Sequence, residues 1–292
     1  MTENAPSKRG LSKFLKTLFL AIVVVVAAIF IYLSPVRQFI RESFMQRVTS
    51  AHYEILCPTG ALSQDAMMEF AKQREPLFAA MDKMLGNADS NATIHIILDP
   101  KLRGLPRADG ILESPLYLVS GTTIRTTLNK MYTKLPAAAD AQALLYASWG
   151  KPGNAQLARW IATWLVGEWR GAEIGMAAGE VEQRLGHKRV ETLLGNPGGE
   201  ISSPNDQDLL GAAWISEIAE FGGADTVRKL YAAKMAHPSV AEVAQALGTT
   251  PIELDRKWQL WMYSYLAGMP SMPSGSGMQM KMPMDMPMAG SH

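Results

Sequence analysis

The strongest hydrophobic signal in the chain is the run LFLAIVVVVAAIFIYL at positions 18–33, which has no charge and no helix breaker. With Thr17 and Ser34 it makes 18 residues, about 27 Å of helix, close to the thickness of a bilayer core. The pattern predicts a transmembrane helix over 17–34, with Tyr32 near one interface. Lys8, Arg9, Lys13 and Lys16 precede it, as they also would in a cleaved signal peptide. The run exceeds an ordinary signal-peptide core, and Ser34-Pro35-Val36-Arg37-Gln38 offers no small-x-small cleavage site, which favours a retained signal anchor. Arg37, Arg41 and Arg47 follow the span, so charge gives only a slight preference for a cytoplasmic N-terminus.

Beyond the anchor the pattern changes several times. Residues 35–50, with apolar positions among basic ones, predict a short juxtamembrane helix. Strands are expected at 52–58, 93–98, 116–119 and 122–128, and a long helix at 62–85 with Ser63 as its N-cap and Gly86 as its stop. Residues 101–113 read as a Gly- and Pro-containing loop. After Pro136 only helical periodicity remains: 137–149, 155–169, a shorter stretch around 175–194, then 206–221, 225–235, 239–247 and a last helix from Thr250. Leu210, Trp214, Ile218 and Phe221 share one helical face, and Leu254, Trp258, Trp261 and Tyr265 share another. Both stripes read as core rather than as a cofactor box.

The organisation predicted is therefore a cytoplasmic N-terminus at 1–16, the signal anchor at 17–34, a juxtamembrane helix at 35–50, one domain at 51–266 and a tail at 267–292. The fold class expected is α+β and mostly helical, with a small sheet-plus-helix front half and an all-helical back half. No repeat of fixed period suggests a solenoid. Net charge is +1, so the basic excess of a nucleic-acid binder is missing and no nucleic-acid partner is expected. Cys57 is the sole cysteine, which excludes an internal disulfide, a CxxC redox pair and a multi-cysteine zinc site; it reads as a small buried hydrophobe.

The order of elements is similar to the peptidase-MA-like domains, relatives of the gluzincin zinc peptidases. HYEILCP at 52–58, TIHIILDP at 93–100, Arg159-Trp160-Ile161-Ala162 and the stretch 206–262 carry the resemblance, which covers roughly residues 50–266. An active member has HExxH on one helix, where two histidines one turn apart bind zinc and the glutamate activates water. A glutamate on the next helix, in a Trp-Leu-x-Glu-Gly setting, is the third ligand. If Trp160 takes the tryptophan position, Thr163 and Trp164 fall where that glutamate and glycine belong, and Gln142-Ala143-Leu144-Leu145-Tyr146 falls at HExxH. His52, His95, His187, His237 and His292 are scattered, and no two are near in sequence. The resemblance thus implies a pseudo-peptidase with no catalytic residues and no zinc, keeping a cleft that receives an extended peptide or a protein surface. Glu168 and Glu173 read as solvated or salt-bridged side chains.

Methionine changes the picture at the C-terminus. Met269, Met272, Met278, Met280, Met282, Met284, Met286 and Met288 fall within the last 24 positions, the last six of them at alternate residues. Thioether sulfur is a soft, neutral ligand suited to Cu(I) or Ag(I), and His292 adds an imidazole that accepts Cu(II). The segment resembles the methionine-rich stretches of bacterial copper-handling proteins. Low-complexity drift, a sticky adaptor for an apolar surface and an oxidant sink cycling through sulfoxide are the competing explanations.

Together these features predict a single-pass protein of a bacterial inner membrane, its N-terminus cytoplasmic and its domain periplasmic. Its function is expected to be that of an accessory subunit whose tail binds Cu(I), with a cuproenzyme or copper transporter as partner. A scaffold or assembly subunit with no metal role is the alternative. An active peptidase with an atypical site is the third.

Overall fold

The computed structural model describes residues 18–25, 42–86, 91–99, 117–128, 135–195, 200–201 and 203–268. Residues 18–25, part of the expected anchor, are helical with exposed side chains, and the rest of the anchor lies outside the described residues. Among the described residues no helix is long and apolar enough to cross a membrane. The chain is α+β: a small mixed sheet in front and helices behind.

Five strands make the sheet: β1 (Met45–Thr49), β2 (Tyr53–Pro58), β3 (Ile94–Asp99), β4 (Tyr117–Ser120) and β5 (Thr123–Thr127), in the order β1-β2-β3-β5-β4. The β2–β3 and β3–β5 pairs are parallel, and the outer pairs are antiparallel. Alternation sets the two faces. Tyr53, Ile55 and Cys57 point to the core with Ile94, Ile96, Leu98 and Ile124, all of them fully buried. Glu54, His95 and Arg125 occupy the other face, where Glu54 pairs with His95 and Arg47, and Arg125 with Glu42.

β1 corrects the C-terminal part of the juxtamembrane helix expected over 35–50, whose residues 35–41 lie outside the described residues. Apolar residues four apart at Ile40, Phe44 and Val48 suit a helix, but Met45–Thr49 pairs along its whole length with β2. Ser50 N–H donates to the Tyr53 carbonyl to close the connection. The open edge of β2 offered this segment a ladder of backbone hydrogen bonds, and β-branched Val48 and Thr49 fit it.

α1 (Gln64–Met84) crosses from β2 to β3, capped by Ser63, whose Oγ accepts from Ala66 N–H. Seven further helices follow: α2 (Ala137–Trp149), α3 (Ala155–Val166), α4 (Ile174–Leu185), α5 (Val190–Leu194), α6 (Pro204–Ala232), α7 (Val240–Leu247) and α8 (Pro251–Gly268). α3 stops three residues before the expected Trp169, because Gly167 takes a left-handed conformation. Glu168–Trp169 (β6) then pairs with Ala172–Glu173 (β7) across a two-residue turn, Arg170-Gly171, with positive φ at both positions. The stretch expected at 175–194 divides into α4 and α5. Buried Glu182 holds the divide by accepting from Lys188 N–H and contacting His187 Nδ1. In α6 the expected break appears as Gly223, at φ 71° within an otherwise continuous run.

One apolar cluster extends from Val48 to Met262. Its densest part is the contact of α3 with α6. There a Cβ on Gly211 would lie 2.1 Å from the Trp160 ring, so glycine is required for the two helices to approach. Trp160 meets Trp214 edge-to-face and donates from Nε1 to Asp208 at 3.1 Å. The α8 stripe is core, as its spacing predicts: Leu254, Trp258 and Trp261 are buried, and Trp258 Nε1 donates to the Lys188 carbonyl. Phe221 departs from its stripe and is 63% exposed, since periodicity marks a face of a helix and not where its neighbours end.

The front and back halves are joined by a buried ion pair. Arg74 on α1 donates from Nε to Asp140 Oδ1 on α2 at 2.9 Å and from Nη2 to Oδ2, and both Nη atoms reach the Leu135 carbonyl at 3.3 Å. Asp140 is fully buried. Burial opposes the Arg74 charge, but the Asp140 carboxylate outweighs it and holds the guanidinium pKa above its ordinary value. Removing one partner strands the other charge in the core, so Asp140→Asn is expected to destabilise the fold by about 3–5 kcal/mol in urea unfolding. Arg74→Met combined with Asp140→Leu is expected to recover most of that loss.

Candidate functional site

The segment 142–146 lies on α2, which packs on β4 and α3. Gln142 is 5% exposed, and neither its amide oxygen nor its nitrogen has a hydrogen-bond partner among the described residues. It lines a narrow cavity of about 20 Å³ with Val119, Gly121, Tyr146, Ala158 and Tyr231. That volume suits one water molecule or the tip of a side chain. Tyr146 stands at the rim, 38% exposed. β4, which contributes Val119 to the lining, is an edge strand among the described residues.

A polar group extends from the same strand. Tyr117 on β4 is buried, its pKa pushed up to about 12 by burial and then by Asp208 and Asp140. Asp208 on α6 accepts from Arg159 Nε at 3.3 Å and from Trp160 Nε1. Burial raises the Asp208 pKa against the pull of Arg159. Thr163, the residue at the expected third-ligand position, donates its hydroxyl back to the Arg159 carbonyl at 3.0 Å. Trp164 is buried core. Gln142, Thr163 and Trp164 thus fall on two helices in contact, and each side chain is neutral.

The histidines stay apart. His52 bonds Glu75 at 2.6 Å and stacks on Phe78, His95 bonds Glu54 at 2.5 Å, and His187 lies against Glu182 between Trp258 and Tyr263. Glu75 also accepts from Ser50 and from His52 N–H. Those bonds outweigh burial and lower its pKa, so the pair reads as a brace for the β1–β2 turn. Among the described residues no three His, Cys, Asp or Glu side chains gather as a metal site. Glu173 accepts from the Tyr265 hydroxyl, and Glu168 is exposed. The ligands expected in the tail, Met269 to Met288 and His292, lie outside the described residues.

Two features escaped the sequence. A cavity of about 450 Å³ opens between α5, α7 and α8, lined by Leu194, Pro238, Val240, Ile252 and Asp255 among others. Its parts come from segments distant in sequence, so no local pattern announces it. Glu217 on α6 is 2% exposed, and its Oε2 has no hydrogen-bond partner among the described residues. Its place in the core is legible only once α6 is packed.

Burial pushes the Glu217 pKa up to about 7, with Lys257 pulling it down and Glu220 pushing it further up. The folded chain therefore keeps a proton that the unfolded chain loses near 4.5. Stability is expected to fall as pH rises through 4.5 to 7, by up to about 3 kcal/mol. Glu217→Gln should flatten that slope in unfolding measured across the window.

Compared with known proteins, the chain matches no family model, no curated protein and no solved structure.

Proposed function

We propose that this chain is a membrane-anchored, non-catalytic accessory protein. Its gluzincin-like domain binds an extended segment of a partner, and its methionine-rich tail binds Cu(I) or Ag(I). The observation that carries the binding role is Gln142. A buried carboxamide without a partner is costly, and here it lies under β4, an edge strand among the described residues, in a cavity that admits the tip of one polar side chain from an extended partner. The resemblance puts this same segment at the metal-binding helix of active relatives, and Gln142, Ala143 and Tyr146 stand where those have the two zinc-binding histidines and the glutamate. Arg159 and Asp208 satisfy each other and position Trp160. Their pairing fits a rigid wall rather than proton transfer.

The anchor reading rests on the uncharged run at 17–34, and the copper reading on the tail sequence. A mobile cuprous ion is well served by neutral thioethers where thiols oxidise, which agrees with a periplasmic domain and with a cuproenzyme or copper transporter as partner.

Two measurements test the reading. Full-length protein in detergent, titrated with Cu(I) against a chromophoric chelator, is expected to bind tightly, and a chain ending at Gly268 to lose that binding. Equal behaviour of the two chains removes the metal role and leaves a scaffold. For the cleft, Gln142→Leu should raise stability by about 1–3 kcal/mol, because an unsatisfied amide leaves the core. It should also weaken capture of the partner that co-purifies with the native chain. A loss of stability instead would mean that the amide is satisfied within the fold.

A further inference from the structure

The end of the sheet that follows the anchor in the chain carries an exposed aromatic residue. Phe44 directly precedes β1 and is 77% exposed. Met45 pairs with Pro58, so Phe44 stands beside the turn that leaves β2, and Thr59 Oγ1 donates to the Phe44 carbonyl at 3.1 Å. That turn, Thr59-Gly60-Ala61, is exposed and uncharged. It is rigidly held: Ala61 N–H donates to the Pro58 carbonyl, and Gln46 Nε2 donates to the Leu62 carbonyl. A large aromatic ring held out into water on a braced turn gains nothing from the fold itself. At the level of a headgroup layer the same ring gains burial.

The chain's own continuity supplies the occupant. Glu42 is fixed to the sheet by its ion pair with Arg125. From Ser34, the last residue of the uncharged run, to Glu42 is eight steps, at most about 28 Å even fully extended. A domain of this size is about 45 Å across, so the connecting segment is too short to put the Phe44 end at the far side of the domain. Arg37 and Arg41 in the connecting segment add positive charge next to that end in the chain. Such charge is attracted by anionic headgroups.

We propose that Phe44 and the 59–61 turn rest in the interfacial layer of the bilayer that holds the anchor. They make a second membrane contact that fixes which way the domain faces. The inference rests on the anchor reading above. The contact is with lipid, and the helices of the back half, including the 450 Å³ cavity between α5, α7 and α8, are left accessible from the aqueous side.

Site-specific labelling of the full chain in proteoliposomes separates the two claims. Cys57 is fully buried, so a thiol-reactive fluorophore goes to an introduced cysteine. Labels are placed by Leu20→Cys in the anchor, Ala61→Cys on the turn and Ile252→Cys on α8, and read against lipids carrying a nitroxide near the headgroup. The expected result is loss of emission at positions 20 and 61 with position 252 unchanged. Phe44→Asp should restore the emission of the label at 61 and leave that at 20 quenched. Quenching at 20 with none at 61 overturns the contact and leaves the anchor standing. Equal quenching at 61 and 252 overturns it as well, because the approach is then not confined to this end. No quenching at either 20 or 61 overturns the anchor and the contact together.

Discussion

The fold depends on holding two opposite charges where water does not reach. Arg74 and Asp140 sit between the helix that crosses the sheet and the first helix of the back half, and each satisfies the other through two parallel hydrogen bonds. A pair of this kind contributes little net stability over an apolar pair, because desolvation consumes most of the attraction. Its effect is on geometry. The guanidinium also reaches the Leu135 carbonyl and lies 5.3 Å from the centre of the Phe70 ring, so α1, the start of α2 and the strand carrying Tyr53 have one mutual arrangement that leaves no charge stranded. The cavity beside Gln142 lies two residues along the same helix, and its shape is inherited from that arrangement.

Sequence disclosed most where a local rule decides. Ser63 before an apolar-periodic run gave the start of α1, and Ser239 with Glu242 forms a full capping box at α7. The aromatic stripe of α8 was legible as core because a 3.6-residue period identifies a buried face directly. What stayed hidden was set by partners distant in sequence. Residues 45–49 have the spacing of a helix and became a strand because β2 had an unpaired edge. Glu168 and Trp169 continue a helical pattern and were turned into a hairpin by the glycines on either side. The candidate site followed the same division. The segment 142–146 and Thr163 were identifiable by position, and the structure puts them on packed neighbours, but that Gln142 is buried without a partner follows from the approach of Tyr231 and Gly121 and from no motif.

The two membrane-related features and the cleft fit one arrangement. In the proposed arrangement the anchor holds the domain at a surface with Phe44 toward it, and among the described residues the outer edge of β4 is unpaired. A strand edge left open invites pairing with any extended chain, including another copy. β4 is only four residues long, which limits the number of backbone bonds that a chance partner can make. Selectivity then falls on the side chains around the edge, and a carboxamide that wants both a donor and an acceptor discriminates against a purely apolar intruder.

Cys57 lies next to the last residue of β2 with no exposed surface, and burial raises its thiol pKa. The thiolate that alkylating and oxidising reagents need is therefore scarce on two counts while the sheet is intact. The rate at which this one sulfur is modified becomes a clock for opening of the strand that carries it. That clock needs no introduced probe, and it runs equally in detergent or lipid, which obscure calorimetry and denaturant titrations.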